Sequence, residues 1–175
     1  MKTLFDKSMF CKRTFYKGTL AAALACLTFV AASTVHAGAC SNASLKGKYG
    51  QTISGQLLPG PGVVLPQNGI AMTTFDGKGT FTQEDFVVID GVPTTTGFQT
   101  SETGTYTVNS NCTSTATINY PDGSWIDLEL VVVNQGREFR TVVSALTMGG
   151  NMVPVNIGST GVRVDNPEGD TENHK

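Results

Sequence analysis

The chain has 175 residues, with 12 basic and 14 acidic side chains and a formal net charge of −2 at pH 7. This balance indicates no basic surface, which argues against nucleic acid as a partner. The sequence holds no HExxH, no histidine cluster, no Gly-x-Ser-x-Gly and no phosphate-binding loop, so it predicts neither a metal nor an organic cofactor.

The first element in the chain is a predicted signal peptide over residues 1–37. Its first part is basic, an apolar run covers residues 20–32, and Val35-His36-Ala37 provides a cleavage site with small residues at both ends. The apolar run is shorter than the roughly 20 residues that a transmembrane helix needs. We therefore predict export to the periplasm or the cell exterior, without a membrane span after cleavage.

Cleavage after Ala37 leaves one predicted domain over residues 38–164 and a disordered tail over residues 165–175. The leader holds five of the basic residues and one of the acids, so seven basic and thirteen acidic residues remain. Cys40 and Cys112 also remain, and such a pair in an oxidising compartment predicts a disulfide. A lipoprotein modified at Cys40 is the alternative, but the large aliphatic residue usual three positions upstream is absent.

Strand patterns recur along the domain, divided by Gly, Asn, Asp or Pro. The predicted strands are 45–54, 69–75, 80–89, 104–108, 112–120, 125–133, 137–146 and 152–164. Asp76-Gly77, between two of these strands, is typical of a tight hairpin turn. The segment 55–67 is rich in Gly and Pro, and we predict an irregular loop whose apolar residues form a lid.

This order of strands predicts an all-β domain: a single antiparallel, up-and-down eight-stranded barrel of the calycin or lipocalin kind. Sequential hairpins without a long crossover favour a meander, and closure of the barrel removes exposed sheet edges. Pro154 assigns the start of the last strand to an edge or a bulge. A Greek-key β-sandwich is the alternative.

Several turn and strand motifs carry a resemblance to a known family. They are Ser44–Gly50, Phe75–Phe81, Gly104–Asn109 and Cys112–Thr117. Over about residues 43–164 the chain resembles a group of secreted bacterial proteins, mostly of unknown function, described as allene oxide cyclase barrel-like. The resemblance implies an eight-stranded barrel related to plant allene oxide cyclases and dirigent proteins. It transfers no functional residue to this sequence.

The candidate ligand-binding residues are Glu129, Arg140, Glu138, Trp125 and Tyr49. One face of the strand that holds Trp125 and Glu129 is wholly apolar, whereas their own face is mixed. The next strand carries Glu138 and Arg140, so a carboxylate could lie opposite a guanidinium. At the barrel mouth these groups could hold a ligand or act as acid and base. On the outer face they would form a cross-strand charge ladder.

Three functions remain open at this point. The leading hypothesis is an exported barrel that binds a small apolar or amphipathic molecule. The alternatives are a cofactor-free cyclase or isomerase, as the resemblance implies, and a structural or adhesive surface protein without a ligand. An open cavity would separate the first two from the third. A buried acid with a perturbed pKa would separate the enzyme from the binding protein. The sequence does not give the oligomeric state.

Overall fold

The computed structural model describes residues 39–164, so the predicted leader and tail lie outside the described residues. Ten strands are present: β1 (Lys46–Gly60), β2 (Val63–Asp76), β3 (Thr80–Ile89), β4 (Val92–Pro93), β5 (Gln99–Val108), β6 (Thr113–Asn119), β7 (Trp125–Val133), β8 (Glu138–Met148), β9 (Asn151–Met152) and β10 (Val155–Arg163). Two single-turn 3₁₀ helices, Asn42–Ser44 and Asn134–Gly136, complete the secondary structure. No helix in this part of the chain is long and apolar enough to span a membrane.

Eight long strands form one closed antiparallel barrel. Neighbours follow chain order, β1-β2-β3-β5-β6-β7-β8-β10, and β10 pairs back onto β1. The two-residue strand β4 pairs with the end of β3, and the two-residue strand β9 pairs with the end of β8. The predicted up-and-down barrel is therefore confirmed, and the alternative sandwich is wrong. Pro154 separates β9 from β10, as expected for a residue that lacks a backbone N–H.

The segment between the first two strands is not the irregular loop that we expected. β1 continues to Gly60 and β2 begins at Val63, so the Gly- and Pro-rich stretch forms a long hairpin with a short turn. Leu57 pairs with Leu65 in this hairpin, and Leu57 is buried in the wall of the barrel. The pairing of two long strands outweighed the local tendency of Gly and Pro to break a strand. The hairpin thus extends the wall of the barrel.

One half of the barrel is filled by aromatic side chains. Tyr49, Phe75, Phe81, Tyr106 and Phe139 are all buried, with ring centroids 5.0–6.4 Å apart. Two inward glycines, Gly104 and Gly161, make room for these rings, because a Cβ on either glycine would lie about 2.1–2.2 Å from a phenylalanine ring. Burial of one such side chain contributes roughly 1.5–3 kcal/mol, so this cluster is the principal core.

The N-terminal segment is fastened across this filled end. A disulfide joins Cys40 to Cys112, with Cα atoms 5.0 Å apart, and both cysteines pack against the aromatic core. The Tyr106 hydroxyl contacts the carbonyl oxygens of Asn42 and Leu45 at 3.0 and 2.9 Å. The predicted disulfide is confirmed. A disulfide is consistent with an exported protein.

Candidate ligand-binding cavity

The other half of the barrel is hollow. A cavity of about 300 Å³ lies between the polar middle of the barrel and the end where β1 turns into β2. Most of its wall is aliphatic, including Ile53, Leu57, Val87, Leu128, Val143 and Ile157. This volume is at the lower end of the roughly 300–1,000 Å³ that ligand pockets occupy. The barrel is therefore filled at one end and open at the other.

The alternation of residues along β7 explains how one strand serves both halves. Ile126 and Leu128 line the cavity, while Leu130 and Val132, on the same face, pack into the aromatic core. Successive side chains of a strand point to opposite faces, so every second residue faces the interior. The face that was wholly apolar in the sequence is the inner face.

A chain of hydrogen bonds forms the floor of the cavity. The Ser159 hydroxyl, itself 2.8 Å from Thr141 Oγ1, donates to Gln51 Oε1 at 3.1 Å. The Gln51 amide donates to the Thr73 hydroxyl, which donates to Gln83 Oε1 at 2.8 Å. Each of these hydrogen bonds satisfies a polar side chain that is shielded from water, as buried polar groups require. The interior therefore has a polar layer between two apolar ones.

The chain of donors ends at a pair of buried carboxyl groups. Gln83 Nε2 donates to Glu102 Oε2 at 3.0 Å, and Glu102 is completely shielded from solvent. Asp85, two residues along β3 from Gln83, lines the cavity and is 4% exposed. No group of three or more His, Cys, Asp or Glu side chains in residues 39–164 is placed to hold a metal ion. Glu102 and Asp85 form a pair of interacting acids.

The two acids have different affinities for a proton. Burial, and then the charge of Asp85, raises the pKa of Glu102 to about 8. Burial also raises the pKa of Asp85, although hydrogen bonds from Glu102 and Tyr120 oppose that rise. Two interacting carboxyl groups in a buried site cannot both ionise readily, so one proton stays on the pair at neutral pH. Glu102, whose pKa is raised to about 8, is the acid that holds it, and Asp85 lies on the cavity side of the pair.

Tyr120 is the third titratable group at the floor of the cavity. It follows β6, lines the cavity and lies beside Asp85. Burial, and then the charges of Asp85 and Glu102, raises the pKa of the Tyr120 hydroxyl far above its ordinary value. The hydroxyl therefore remains protonated and can donate a hydrogen bond. Asp85 and Tyr120 together present an acceptor and a donor at the polar end of an otherwise aliphatic cavity.

An irregularity in β5 lies directly beside Glu102. Gln83 pairs with Glu102, but Asp85 pairs with Gln99, so β5 contains one extra residue opposite Glu84. The extra residue lets both Gln99 and Glu102 face inward, although they are three positions apart. Ser101 accommodates the bulge with φ of 73°, a conformation that non-glycine residues rarely adopt. The backbone beside the carboxyl pair is thus locally strained.

This strain predicts opposite effects of two substitutions. Ser101→Val should lower the free energy of unfolding by about 1–2 kcal/mol, because a branched side chain is costly in the left-handed region. Ser101→Gly should raise it slightly, since glycine adopts that region freely. Urea denaturation measures both. Thr103→Val, at an exposed outward position of the same strand, is the matched control and should change little. Equal losses at positions 101 and 103 would contradict strain at the bulge.

The structure does not place the sequence-predicted ligand residues at the cavity. Glu129 and Arg140 are exposed, and Arg140 lies 3.9 Å from Glu138 on the outer face of β8. Trp125 alternates with Ile126, which lines the cavity, and so belongs to the outer face. Glu129, Glu138 and Arg140 lie where the alternative interpretation, a charge ladder facing water, would have them.

Tyr49 does face the interior, but at the filled end. It is completely buried between Phe75 and Phe139, and its hydroxyl donates to the backbone oxygen of Gly136. This hydrogen bond holds a turn at the closed end of the barrel. Tyr49 is therefore a core residue and does not contact the cavity.

The residues that form the site instead lie on β3 and β5. Their sequence contains a usable pattern: Gln83 and Asp85 are in phase with Phe81, and Glu102 is in phase with Tyr106 and Val108. Polar side chains that share a strand face with core aromatics are candidates for a buried network.

Neither a protein-family model nor a curated protein sequence matches this chain. Among solved structures, it is similar to the S-type phycobiliprotein lyase CPES from Guillardia theta, with a TM-score of 0.45 and 10% sequence identity. The similar region covers 71% of this chain and 91% of that one. A similarity of this size carries no argument about function. The resemblance to allene oxide cyclase barrel-like proteins stays a prediction.

Proposed function

We propose that this protein binds one small amphipathic molecule inside its barrel, with the polar end of the molecule at Asp85 and Tyr120. The observation that carries the proposal is a cavity of about 300 Å³ with aliphatic walls and a hydrogen-bonding floor. A structural or adhesive barrel has no need of such a space, because aliphatic side chains could fill it and stabilise the fold.

The shape of the cavity supports a ligand with one polar end. A connected hydrogen-bond network forms the floor, whereas most of the wall is aliphatic. The rim itself carries exposed apolar side chains, among them Val63, Val64, Val92 and Phe98. An apolar rim would let the ligand leave a membrane or a carrier without first being fully hydrated. The molecule would enter with its polar end first.

The compartment is part of the same proposal. We infer that the leader is removed and that the protein acts in the periplasm or outside the cell. The Cys40–Cys112 disulfide supports this, because such bonds persist in oxidising compartments. A small apolar molecule needs a carrier or a binding protein in such an aqueous space.

Filling the cavity should abolish binding. Val143→Phe adds a ring to the aliphatic wall, whereas Val142→Phe adds the same ring to the outer face, where Val142 is 57% exposed. We expect Val143→Phe to reduce the affinity for a hydrophobic fluorescent dye by about tenfold or more, since a few lost contacts suffice for that factor. Val142→Phe should leave the affinity unchanged. Dye titration, with circular dichroism as a check on folding, measures both variants.

Native mass spectrometry of protein from its own producer would identify the natural passenger. One small molecule per chain, lost in Val143→Phe but kept in Val142→Phe, is the expected result. Equal retention by the two variants would show that the passenger binds elsewhere and would contradict the proposal.

A cofactor-free isomerase or cyclase is the second candidate, and the acid pair favours it. Asp85 as base and the protonated Tyr120 as acid, both lining the cavity, would match the division of roles that proton-transfer catalysis uses. Incubation of the recovered passenger with fresh protein, followed by chromatography, tests this candidate. A product of unchanged mass but different retention time, absent with Asp85→Asn, would support catalysis. An unchanged passenger would leave binding as the function.

A further inference from the structure

We propose that the cavity selects molecules whose polar end is a protonated amine, with Asp85 as its counter-ion. The inference rests on the proposed function and specifies the class of ligand. It depends on the arrangement of charges around the cavity.

The charged residues that line the cavity are all acidic. They are Asp85 and Asp122, and no lysine, arginine or histidine among the described residues joins them. The Asp122 carboxylate already accepts hydrogen bonds from the Ser124 backbone N–H and hydroxyl, at 2.9 and 3.1 Å, within the turn that precedes β7. Asp85, unlike Asp122, has no backbone hydrogen-bond partner in the described part of the chain. It is therefore the acid that is available to a ligand in the cavity.

The neighbour of Asp85 indicates that this site is incomplete. Glu102 Oε1 is the one buried side-chain polar atom in residues 39–164 that lacks a hydrogen-bond partner. Its other oxygen is the final acceptor of the hydrogen-bond chain through Gln83. A single proton held between Glu102 and Asp85 still leaves one negative charge on the pair. A buried charge without a counter-ion is destabilising, and a cation in the cavity would remove that cost.

The same arrangement disfavours anionic amphiphiles. A carboxylate head at the floor of the cavity would face Asp85 with no cation to separate the two charges. Like charges in a poorly hydrated space repel strongly. A neutral hydroxyl could accept from Tyr120 and donate to Asp85, so alcohols should bind, but without the gain from charge. The expected order of affinity is amine, then alcohol, then carboxylate.

Three probes with the same tail test this order: octylamine, 1-octanol and octanoate, each titrated by calorimetry at pH 7 into protein made from the full chain. We expect octylamine to bind about tenfold more tightly than 1-octanol, because an ionised partner roughly doubles the strength of a hydrogen bond. Octanoate should bind more weakly than the alcohol. Equal affinities for amine and alcohol, or tighter binding of octanoate, would overturn the inference and leave the proposed binding function standing. Failure of all three to bind would overturn both.

Asp85→Asn identifies the group responsible. The substitution removes the charge but keeps a hydrogen-bonding side chain of the same size, so the preference for octylamine over 1-octanol should vanish. Glu84→Gln is the matched control, because Glu84 is the neighbouring residue on the exposed face of the same strand. It should keep the full preference. A preference lost equally in both variants would assign the selectivity to the net charge of the protein and contradict the role of Asp85.

Octanol binding reports whether the Asp85→Asn variant is folded. A variant that binds 1-octanol with unchanged affinity has an intact cavity, and its response to octylamine then decides the matter. If the variant does not fold, the order of affinity among the three probes in the unaltered protein decides the matter by itself.

Discussion

Replacement of Cys112 by serine is expected to lower the free energy of unfolding of the oxidised protein by roughly 4 kcal/mol. The disulfide closes a loop of 72 residues. In the chain-entropy model, a cross-link of that length restricts the unfolded chain enough to contribute this amount. For a domain whose total stability is about 5–15 kcal/mol, this is one of the largest effects of a single substitution.

The position of the disulfide explains why the N-terminal segment remains attached. Between Cys40 and the start of β1 the chain makes one turn of 3₁₀ helix across the filled end of the barrel. The Cys40 N–H donates to the Ser110 carbonyl at 3.2 Å, and the Cys112 carbonyl accepts from Val132 at 2.9 Å. Two adjacent strands and the terminal segment therefore meet at the disulfide. Its loss would expose part of the aromatic core beneath it.

Chemical denaturation with and without reductant measures the effect. The unaltered protein should lose stability on reduction, whereas Cys112→Ser should not respond to reductant. Cys40→Ser should behave as Cys112→Ser does, and the double substitution should cost no more than either alone. A loss in Cys112→Ser that persists after both proteins are reduced would mean that the serine itself disturbs the core.

The fold was predictable because its determinants are local and repeat along the chain. Each strand of the barrel needs only a run of alternating residues and a turn that reverses the chain. Asp76-Gly77 shows this: the Asp76 carboxylate accepts from the N–H groups of Lys78, Gly79 and Thr80 at 2.7–3.0 Å, as a turn residue does. Such features can be recognised without knowledge of the rest of the molecule.

The site was only partly predictable from the same information, because its full set of residues depends on register and on one bulge. The sequence showed charged residues on two adjacent strands, β7 and β8, but alternation alone does not say which face is inside when both strands are half polar. Glu102 alternates with the core residues Tyr106 and Val108, but Gln99 reaches the cavity because β5 gains a residue near Ser101. A bulge changes the face of every residue beyond it. The local sequence of Thr100 and Ser101 does not indicate a bulge.

The polar layer was also hard to predict for an energetic reason. Burial of a carboxyl group is unfavourable unless the group has hydrogen-bond partners. An acid in a strand is therefore first assigned to the solvent-exposed face. Here Gln83 supplies the partner, and Gln83 is itself held by Thr73 from a third strand. The cost of burying Glu102 is lowered only by groups distant in sequence. Such compensation becomes visible only when the strands are paired.

Glu102→Gln is expected to stabilise the protein by an amount that grows as the pH rises. The pKa of Glu102 is raised from 4.5 to about 8 in the folded protein, first by burial and then by Asp85. Between these two values the folded state binds more protons than the unfolded state, so the free energy of unfolding falls as pH rises. Below pH 4.5 the stability from this group is fully present, and it is lost as pH rises through about 8.

The groups that face Glu102 act in the same direction or remain neutral. Asp85 on β3 also has a raised pKa, so it too binds protons more readily in the folded state. Tyr120 stays protonated because its pKa is raised, and Gln83 does not titrate. No cation is placed to compensate the pair among the residues that line the cavity. The fall in stability between about pH 5 and pH 8 should therefore be unopposed within this cluster.

Glutamine at position 102 keeps an oxygen for Gln83 Nε2 and an amide N–H for Asp85, and it cannot ionise. At pH 5 the variant should be about as stable as the unaltered protein, in which Glu102 is protonated. At pH 9 it should be more stable, by more than about 1.4 kcal/mol, because a tenfold change in proton affinity corresponds to that energy. Urea denaturation across this range, with Glu84→Gln as the exposed control, gives the comparison. Parallel curves for the variant and the unaltered protein would show that Glu102 is ionised in the folded state at neutral pH, and the assignment of the proton to Glu102 would fail.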